Sequence, residues 1–286
     1  MTTLPEKKPY AHSITPHSSL FDLRLGEIWQ YRDLLVLFVR RDFVAKYKQT
    51  ILGPIWFFIQ PIFQTLMLAV VFGGMAKLST DGVPRILFYL AGITAWNYFA
   101  NCLRTTSNTF TANASLFGKV YFPRAVMPLS VIVSNLIQFG IGLLLFLLLY
   151  IFYALVGNYT PKPHATLLLL PPLILMMGFM SLGSGMLISA LTTRYRDLQY
   201  LVEFGVQLLM YATPVILPLS AVPTKYRPIM FANPMTGVIE TFKHGFFSTG
   251  TFSWPLLSYS VGFTITIFIL GLVVFNRTEK NFMDTV

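Results

Sequence analysis

The sequence predicts an all-α polytopic membrane protein with six transmembrane helices, an N-terminal amphipathic interface helix and a re-entrant external helix before the last span. Three observations carry that expectation. Of 286 residues, 55% are apolar and only 11% are charged, well below the roughly 25% charged residues of a soluble globular domain. Six stretches are long enough for the roughly 20 helical residues that cross a hydrocarbon core, and five of them contain no charge. The charges that do occur sit in the flanks of those runs, so the net charge of +10 is not gathered on a soluble face as a nucleic-acid binder requires.

In chain order, Met1 to Ser19 holds three prolines and two histidines without periodicity and reads as a mobile cytoplasmic tail. It lacks the pattern of a cleaved secretory signal, so the N-terminus is expected to be retained. His12 and His17 read as solvated residues, and Cys102, the single cysteine, as a packing residue without redox or metal role.

From Asp22 to Lys48, Leu25, Ile28, Trp29, Leu35, Val36, Val39 and Phe43 share one stripe at 100° per residue, while Glu27, Asp33, Arg40 and Arg41 fall away from it. Arg32 and Lys46 lie within the stripe, as suits a helix in the headgroup layer whose long basic side chains snorkel. Trp29 is its aromatic anchor. Residues 1–50 are therefore taken as tail and interface helix, and 51–286 as the membrane domain.

The spans are expected at Ile51–Met75, Ile86–Leu103, Ala125–Val156, Ala165–Thr193, Leu198–Val222 and Phe252–Asn276. Pro54, Pro61, Pro171 and Pro172 should bend the first and fourth. The third is long enough to tilt or to extend past the surface. Lys and Arg number eight before the first span, three in the second connection, two in the fourth and two in the tail, 15 on one side against six on the other. The positive-inside rule then places both termini in the cytoplasm. In the fifth connection, Pro223 to Thr251, Asn233-Pro234 starts a helix with Met235, Val238, Ile239, Phe242 and Phe246 on one face. Glu240, Lys243 and His244 argue against a seventh span, and Gly245 and Gly250 let the helix end.

The chemistry is defined first by what is missing. Around Gly118-Lys119, Asn113 stands where a phosphate loop needs its first glycine and Val120 where it needs a hydroxyl. No HExxH, Cys/His cluster or Gly-x-Ser-x-Gly elbow occurs, so neither a metal site nor a catalytic residue is expected. Glu203 is the single acid inside a span, expected to pair with an Arg or to reach the interface; a proton-driven carrier uses a chain of such groups. The chain cannot hydrolyse ATP alone.

What stands out is Ala112 to Pro128, ANASLFGKVYFPRAVMP, a polar and basic interruption between two apolar runs. Ser115-Leu116-Phe117 places apolar groups between polar neighbours, suited to inserting a short helix into a cleft on a partner. Lys119 and Arg124 supply charge near headgroups, Arg124 serving either as a headgroup contact or as an ordinary positive-inside anchor.

With this loop, Arg41-Asp42 and Tyr47 ahead of Leu52-Gly53-Pro54, Trp56, Pro61, Arg196-Asp197-Leu198 and Thr213-Pro214-Val215 recur in an order and spacing that resembles the polysaccharide-export branch of the ABC-2 type permeases, over nearly all the chain after about residue 20. That resemblance implies a homodimer in the bacterial inner membrane with two copies of a separate ABC ATPase, which would hold ATP and Mg while this chain holds no cofactor. It implies an undecaprenyl diphosphate-linked glycan as cargo, a coupling loop after the second span and re-entrant external helices before the sixth. Asn113, Ser115, Leu116, Phe117 and Lys119 become the expected ATPase contact, Arg194, Arg196 and Asp197 a second one, and Trp29, Arg40, Arg41 and Arg124 the lipid-headgroup residues. O-antigen, capsule and teichoic acid remain open as cargo. A drug or small-lipid exporter and a membrane scaffold are the competing classes.

Overall fold

The computed structural model describes residues 25–282 except 46, 47, 49, 118, 121 and 158. The tail from Met1 to Ser19, with His12 and His17, lies outside the described residues, as do Lys46 and Tyr47. Among the described residues the chain is helical and contains no strand. The interface helix is two pieces, α1 (Leu25–Gln30) and α2 (Arg32–Ala45), with the bonds Tyr31 N to Glu27 O and Leu35 N to Tyr31 O carrying the helical ladder across the break. After α3 (Trp56–Leu68) come α4 (Arg85–Ser107), α5 (Thr109–Ala112), α6 (Ala114–Phe117), α7 (Val126–Leu155), α8 (Leu170–Thr192), α9 (Leu198–Tyr211), α10 (Arg227–Ala232), α11 (Met235–Phe247) and α12 (Trp254–Phe282).

Among the described residues, five helical stretches are long and apolar enough to cross a membrane: 53–75, 85–107, 126–155, 165–192 and 254–279. The first is built from a 3₁₀ turn at Gly53–Ile55, α3 and a π-helical end at Ala69–Met75. The fourth opens with a 3₁₀ segment, Ala165–Leu169, and Pro171 and Pro172 fall in the first turn of α8. A missing N–H costs nothing there, so these prolines start a helix instead of bending one.

The expected fifth span, Leu198–Val222, is shorter than its apolar run. Helix α9 ends at Tyr211 after 14 residues, about 21 Å at 1.5 Å per residue. Thr213 to Ile216 then form a buried turn instead of continuing the helix. The residue before a proline is biased away from helix, and Thr213-Pro214 sits at that turn.

Helix α4 is the axis of the bundle. Most of its side chains are buried, and it packs against α3, α7, α8, α9 and α11. Helices α8 and α12 cross most closely: a Cβ on Gly183 would stand 2.5 Å from the Cα of Phe268, and a Cβ on Gly271 would collide with the Gly183 carbonyl oxygen. Such small residues let membrane helices pack by their backbones. The connections gather at two ends. One carries α1 and α2, the 108–125 loop, the 193–197 turn and the close of α12. The other carries 76–84, 157–164 and the segment from 212 to 253. They are called here the loop end and the re-entrant end.

Candidate functional site

At the loop end, a line of rings joins three parts of the chain. Phe38 of α2 lies 5.7 Å from Phe122, Phe122 lies 5.7 Å from Phe117, and Phe117 meets Phe110 edge-on at 6.1 Å. Phe110 stacks on Phe275 of α12 at 4.6 Å and 26°. All five are buried, and offset or edge-on pairs each add about 0.5–1.5 kcal/mol beyond their burial. The interface helix and the 109–117 loop are thus one platform standing on α12.

The interface helix divides its apolar surface. Ile28 and Phe38 are buried, with Tyr31, Leu34 and Leu35 packed beside them on this cluster. Trp29 is 69% exposed, and Val36 and Leu37 are also exposed. Only part of the stripe read from the sequence faces outward, because the packed face is rotated toward Leu34 and Phe38. Arg32 stands 5.5 Å from the Trp29 ring. Arg40 is exposed. Arg41 pairs with Asp42 at 2.8 Å and lies 4.8 Å from the Phe38 ring.

In the loop itself, Ser115 and Lys119 are exposed, Asn113 and Leu116 half-buried, and Phe117 only 4% exposed. Phe117 is therefore a support of the loop and not a group presented to a partner, which corrects the pairing of Leu116 with Phe117 as equal contacts. The backbone oxygen of Asn113 accepts from Leu116 N and Phe117 N, and its amide donates to Thr109 O at 2.9 Å, so Asn113 joins the two short helices. Arg124 is 6% exposed; its Nη1 donates to Glu279 O at 2.7 Å and its guanidinium lies 5.4 Å from the Phe117 ring. A cation on the last carbonyls of a helix opposes the negative end of its dipole. Arg124 thus caps α12 here.

The second connection expected to meet a partner lies alongside. Arg194, Arg196 and Asp197 are all exposed, with Arg194 5.6 Å from the Tyr195 ring. Gln199 Nε2 donates to Thr111 Oγ1 at 3.1 Å, and Thr192 Oγ1 donates to Ser107 O at 3.1 Å. The two loops are therefore fixed to each other. Glu203 meets Arg104 at 3.0 Å, the arginine partner expected of it.

Behind this platform lies a cavity of about 280 Å³ between α2, α4 and α7, with Asp42, Thr105, Asn113, Ser134 and Asn135 in its wall. Asn135 also lines a smaller space of about 30 Å³ deeper in the bundle, with Asn97, Asn101 and Gln138. Asn97 Nδ2 donates to Gln64 Oε1 of α3 at 2.9 Å. A seam of neutral amides thus runs inward from the loop end. No charge marks these residues within the spans. The signal available was the recurrence of Asn and Gln inside apolar runs, where an amide is costly unless something answers it.

The re-entrant end is built differently. Nearly every side chain of α11 is buried, including Glu240 at 3% and Lys243 at 4% exposure, so this helix is inserted into the bundle and not laid on it as an amphipathic surface helix. Glu240 accepts from Leu219 N and Thr251 N, both at 3.2 Å. Lys243 Nζ donates to Pro214 O at 2.5 Å and lies 3.3 Å from the Phe88 ring centroid. Burial pushes the Glu240 carboxyl up and the Lys243 ammonium down from their ordinary ranges, and each draws the other back toward charge. The Thr213-Pro214-Val215 turn is thereby tied to α11 and α4. Ser248 at φ +52° and Gly250 at φ +88° end the helix.

The sequence matches the ABC-2 type transporter family over residues 33–247. It is 28% identical over 255 residues to the O-antigen export system permease protein RfbA of Klebsiella pneumoniae, covering 88% of this chain and 94% of that protein. It is 30% identical over 223 residues to the protein of the same name in Myxococcus xanthus, covering 77% and 83%. The polysialic acid transport protein KpsM of Escherichia coli is 22% identical over 245 residues, covering 84% and 91%.

Proposed function

The chain belongs to the ABC-2 type transporter family, and from that premise we propose that it is the transmembrane subunit of an ATP-driven exporter that carries an O-antigen-like polysaccharide, linked to undecaprenyl diphosphate, out of the cytoplasm. The observation that carries the reading is the similarity to polysaccharide-export permeases along almost the whole chain. The platform at the loop end supports it. That surface presents Ser115, Lys119, Arg194, Arg196 and Asp197 outward over a ring-packed base, a firm receiver for motion from a separate ABC ATPase, which would hold ATP and Mg.

Two further parts of the reading concern assembly and sidedness. Helix α3 leaves Phe63 and Met67 exposed, and α9 leaves Tyr200, Leu201 and Phe204 exposed. These faces suit lipid or a second copy of the chain, and the homodimer with two ATPase subunits is the assembly we infer. The loop end faces the cytoplasm of the bacterial inner membrane, following the bias of Lys and Arg toward it. With Cys102 replaced, an impermeant thiol reagent outside the cell should label Thr249→Cys and not Ser115→Cys; the reverse pattern inverts the orientation.

The central test reconstitutes the chain with a candidate ABC ATPase from the same cell in proteoliposomes and follows a lipid-linked glycan from that cell. ATP-dependent movement is expected. Failure to recover any complex with such an ATPase, with the chain folded and inserted, overturns the reading.

A further inference from the structure

We propose that the cleft between α8 and α12 at the re-entrant end, a cavity of about 380 Å³, is a binding site for one straight acyl chain of a membrane phospholipid. The proposal requires only that these two stretches span the membrane, so it does not depend on the exporter reading. Toward the loop end the two helices touch backbone to backbone at Gly183 and Gly271. Toward the re-entrant end α11 packs against both and holds them apart: a Cβ on Gly237 would lie 2.7 Å from Ser260 Oγ of α12, and one on Gly245 would lie 3.1 Å from the Cα of Leu167, just ahead of α8. The cleft opens in that gap, and its lining comes from α8, α12 and Leu169.

The lining is hydrocarbon in character. Leu173, Met176 and Leu257 form the floor, each at most 8% exposed, and Leu175, Val261 and Ile265 stand at the rim, each at least 42% exposed. Thr264 is the polar side chain of the lining, and its hydroxyl already donates to Ser260 O at 2.7 Å. Phe179 meets Phe268 edge-on at 5.1 Å and closes the end nearer the bilayer centre. Trp254, exposed and one turn before Leu257 on α12, marks the other end at headgroup level, where such rings collect.

Size decides what fits. From Leu169 to Phe179 the α8 wall runs about 15 Å at 1.5 Å per residue, half of a hydrocarbon core about 30 Å thick. Spread over that length, 380 Å³ leaves a section of about 25 Å², whereas a helix about 10–12 Å across needs about 80–110 Å². The cleft therefore admits one extended chain and no helix from a second copy. A polyprenyl chain carries a methyl branch on every unit and runs far past one leaflet, so a straight acyl chain fits better. Ring contacts join the head of the cleft to two histidines: Trp254 meets Phe252 at 5.0 Å, Phe252 stacks on His244 at 5.5 Å, and His244 meets His164 at 4.5 Å. His164 and Lys162 are exposed there, while the Glu240 carboxylate is turned inward to Leu219 N and Thr251 N. That balance suits the phosphate of a phospholipid.

The test takes the full chain, extracted with its native lipids, exchanged into detergent and weighed intact by native mass spectrometry, with retained lipids identified by fragmentation. A single phospholipid per chain should remain, while lipids that touch no recess wash away. Val261→Phe and Ile265→Phe enlarge exposed rim side chains and should lose that lipid, whereas Leu148→Phe, at an exposed position of α7, should keep it. A second measurement needs no variant. Adding palmitoyl-oleoyl phosphatidylglycerol to the delipidated chain should raise its unfolding midpoint and saturate at one lipid per chain, as mass action requires of a single site; farnesyl phosphate should do neither. Retention of a polyprenyl lipid, equal retention by all three variants, no lipid retained by the wild type, or a midpoint that fails to saturate overturns the proposal. Complex formation with an ATPase is measured separately, and the exporter reading stands or falls on that alone.

Discussion

The two ends of the molecule solve one problem, holding a non-spanning segment against a bundle, by opposite means. At the loop end the segment is held by five phenylalanines from α2, the 108–125 region and α12, with a single buried cation, Arg124, on a helix end. Of its other charges, Lys119, Arg194, Arg196 and Asp197 are exposed, while Arg41 and Asp42 pair with each other at the cavity wall. At the re-entrant end the charges are inside: Glu240 joins Leu219 to Thr251, and Lys243 joins α11 to Pro214 and Phe88. Apolar burial among rings changes gradually with small shifts, whereas a buried carboxylate fixing two backbone N–H groups does not tolerate them. The difference teaches where motion is to be expected. In the proposed exporter, a surface that received movement from an ATPase would gain from the more yielding packing, and the far end from directional bonds.

The largest effect should come from breaking the pinned end. Glu240→Ala leaves Leu219 N and Thr251 N without their acceptor and Lys243 without its neighbouring carboxylate. Leaving a buried N–H group without its acceptor costs about 1–3 kcal/mol, and two are left here, so the unfolding midpoint in detergent should fall steeply. Glu240→Gln, which keeps one acceptor oxygen, should lose less. Equal midpoints for wild type and Glu240→Ala would mean that the re-entrant end is held by apolar packing, as the loop end is, and the contrast would disappear.

The second effect separates support from contact at the loop end. Phe117 touches Phe110 and Phe122 inside the cluster, and its truncation to Ala should cost about 3 kcal/mol, as for large-to-small changes in cores. Leu116 is only half-buried, and Leu116→Ala should cost about 1 kcal/mol or less. In the purified complex, Phe117→Ala should lower thermal stability, whereas Leu116→Ala should leave stability near wild type and weaken ATPase recovery. A stable Phe117→Ala chain that no longer binds the ATPase would restore Phe117 as the contact.

Much of this fold was legible because hydrophobic runs and proline positions act locally. Five of the six expected spans agree with the observed helical stretches to within a few residues, and the Asn233-Pro234 helix start falls at the head of α11. The fifth span was over-read because an apolar run does not distinguish a continuing helix from a buried turn, and Thr213 to Ile216 is apolar for the second reason. Residues 1–24 bear on neither point. At the site, the loop was legible as a polar interruption, but the roles of Phe117 and Arg124 depend on Phe275 and Glu279, about 155 residues away for the latter pair. No periodicity within a loop encodes a partner that distant. The buried Glu240 and Lys243 misled in the same way: charges on a short helix read as an exposed face until the bundle closes around them.

A third, smaller effect tests whether the lone cation of the loop end resembles those of the re-entrant end. Arg124→Met keeps length and apolar bulk on Phe117 but removes the charged hydrogen bond to Glu279 O, which is worth roughly 1.5–3 kcal/mol. The Met side chain recovers part of this by packing, so a net loss of about 1–2 kcal/mol is expected. If Arg124 served headgroups instead, the loss would appear as weaker dependence on anionic lipid in transport assays, with stability unchanged.

The smallest effect concerns pH and confines itself to the re-entrant end. His164 and His244 stand with ring centroids 4.5 Å apart, and each Nδ1 is within hydrogen-bond distance of Thr166 Oγ1, at 3.2 and 3.0 Å. Burial, and after it the neighbouring His164, holds the His244 imidazole below the ordinary histidine range. The groups facing it are Thr166 and His164 from the start of the fourth span and the Phe252 ring ahead of α12, stacked at 5.5 Å, with Lys243 and Glu240 on its own helix. The folded chain therefore binds fewer protons than the unfolded chain between the depressed folded value and the free-histidine value of about 6.5. In that window stability rises with pH. Its contribution is complete above about pH 6.5 and is lost progressively as pH falls toward the folded value. Between about pH 7.5 and 5.5, the midpoint of wild type should drop slightly more than that of His244→Gln, while Phe117→Ala should leave the pH slope unchanged. Equal slopes for wild type and His244→Gln would remove His244 from the pH response and leave Glu240 and Lys243 to account for it.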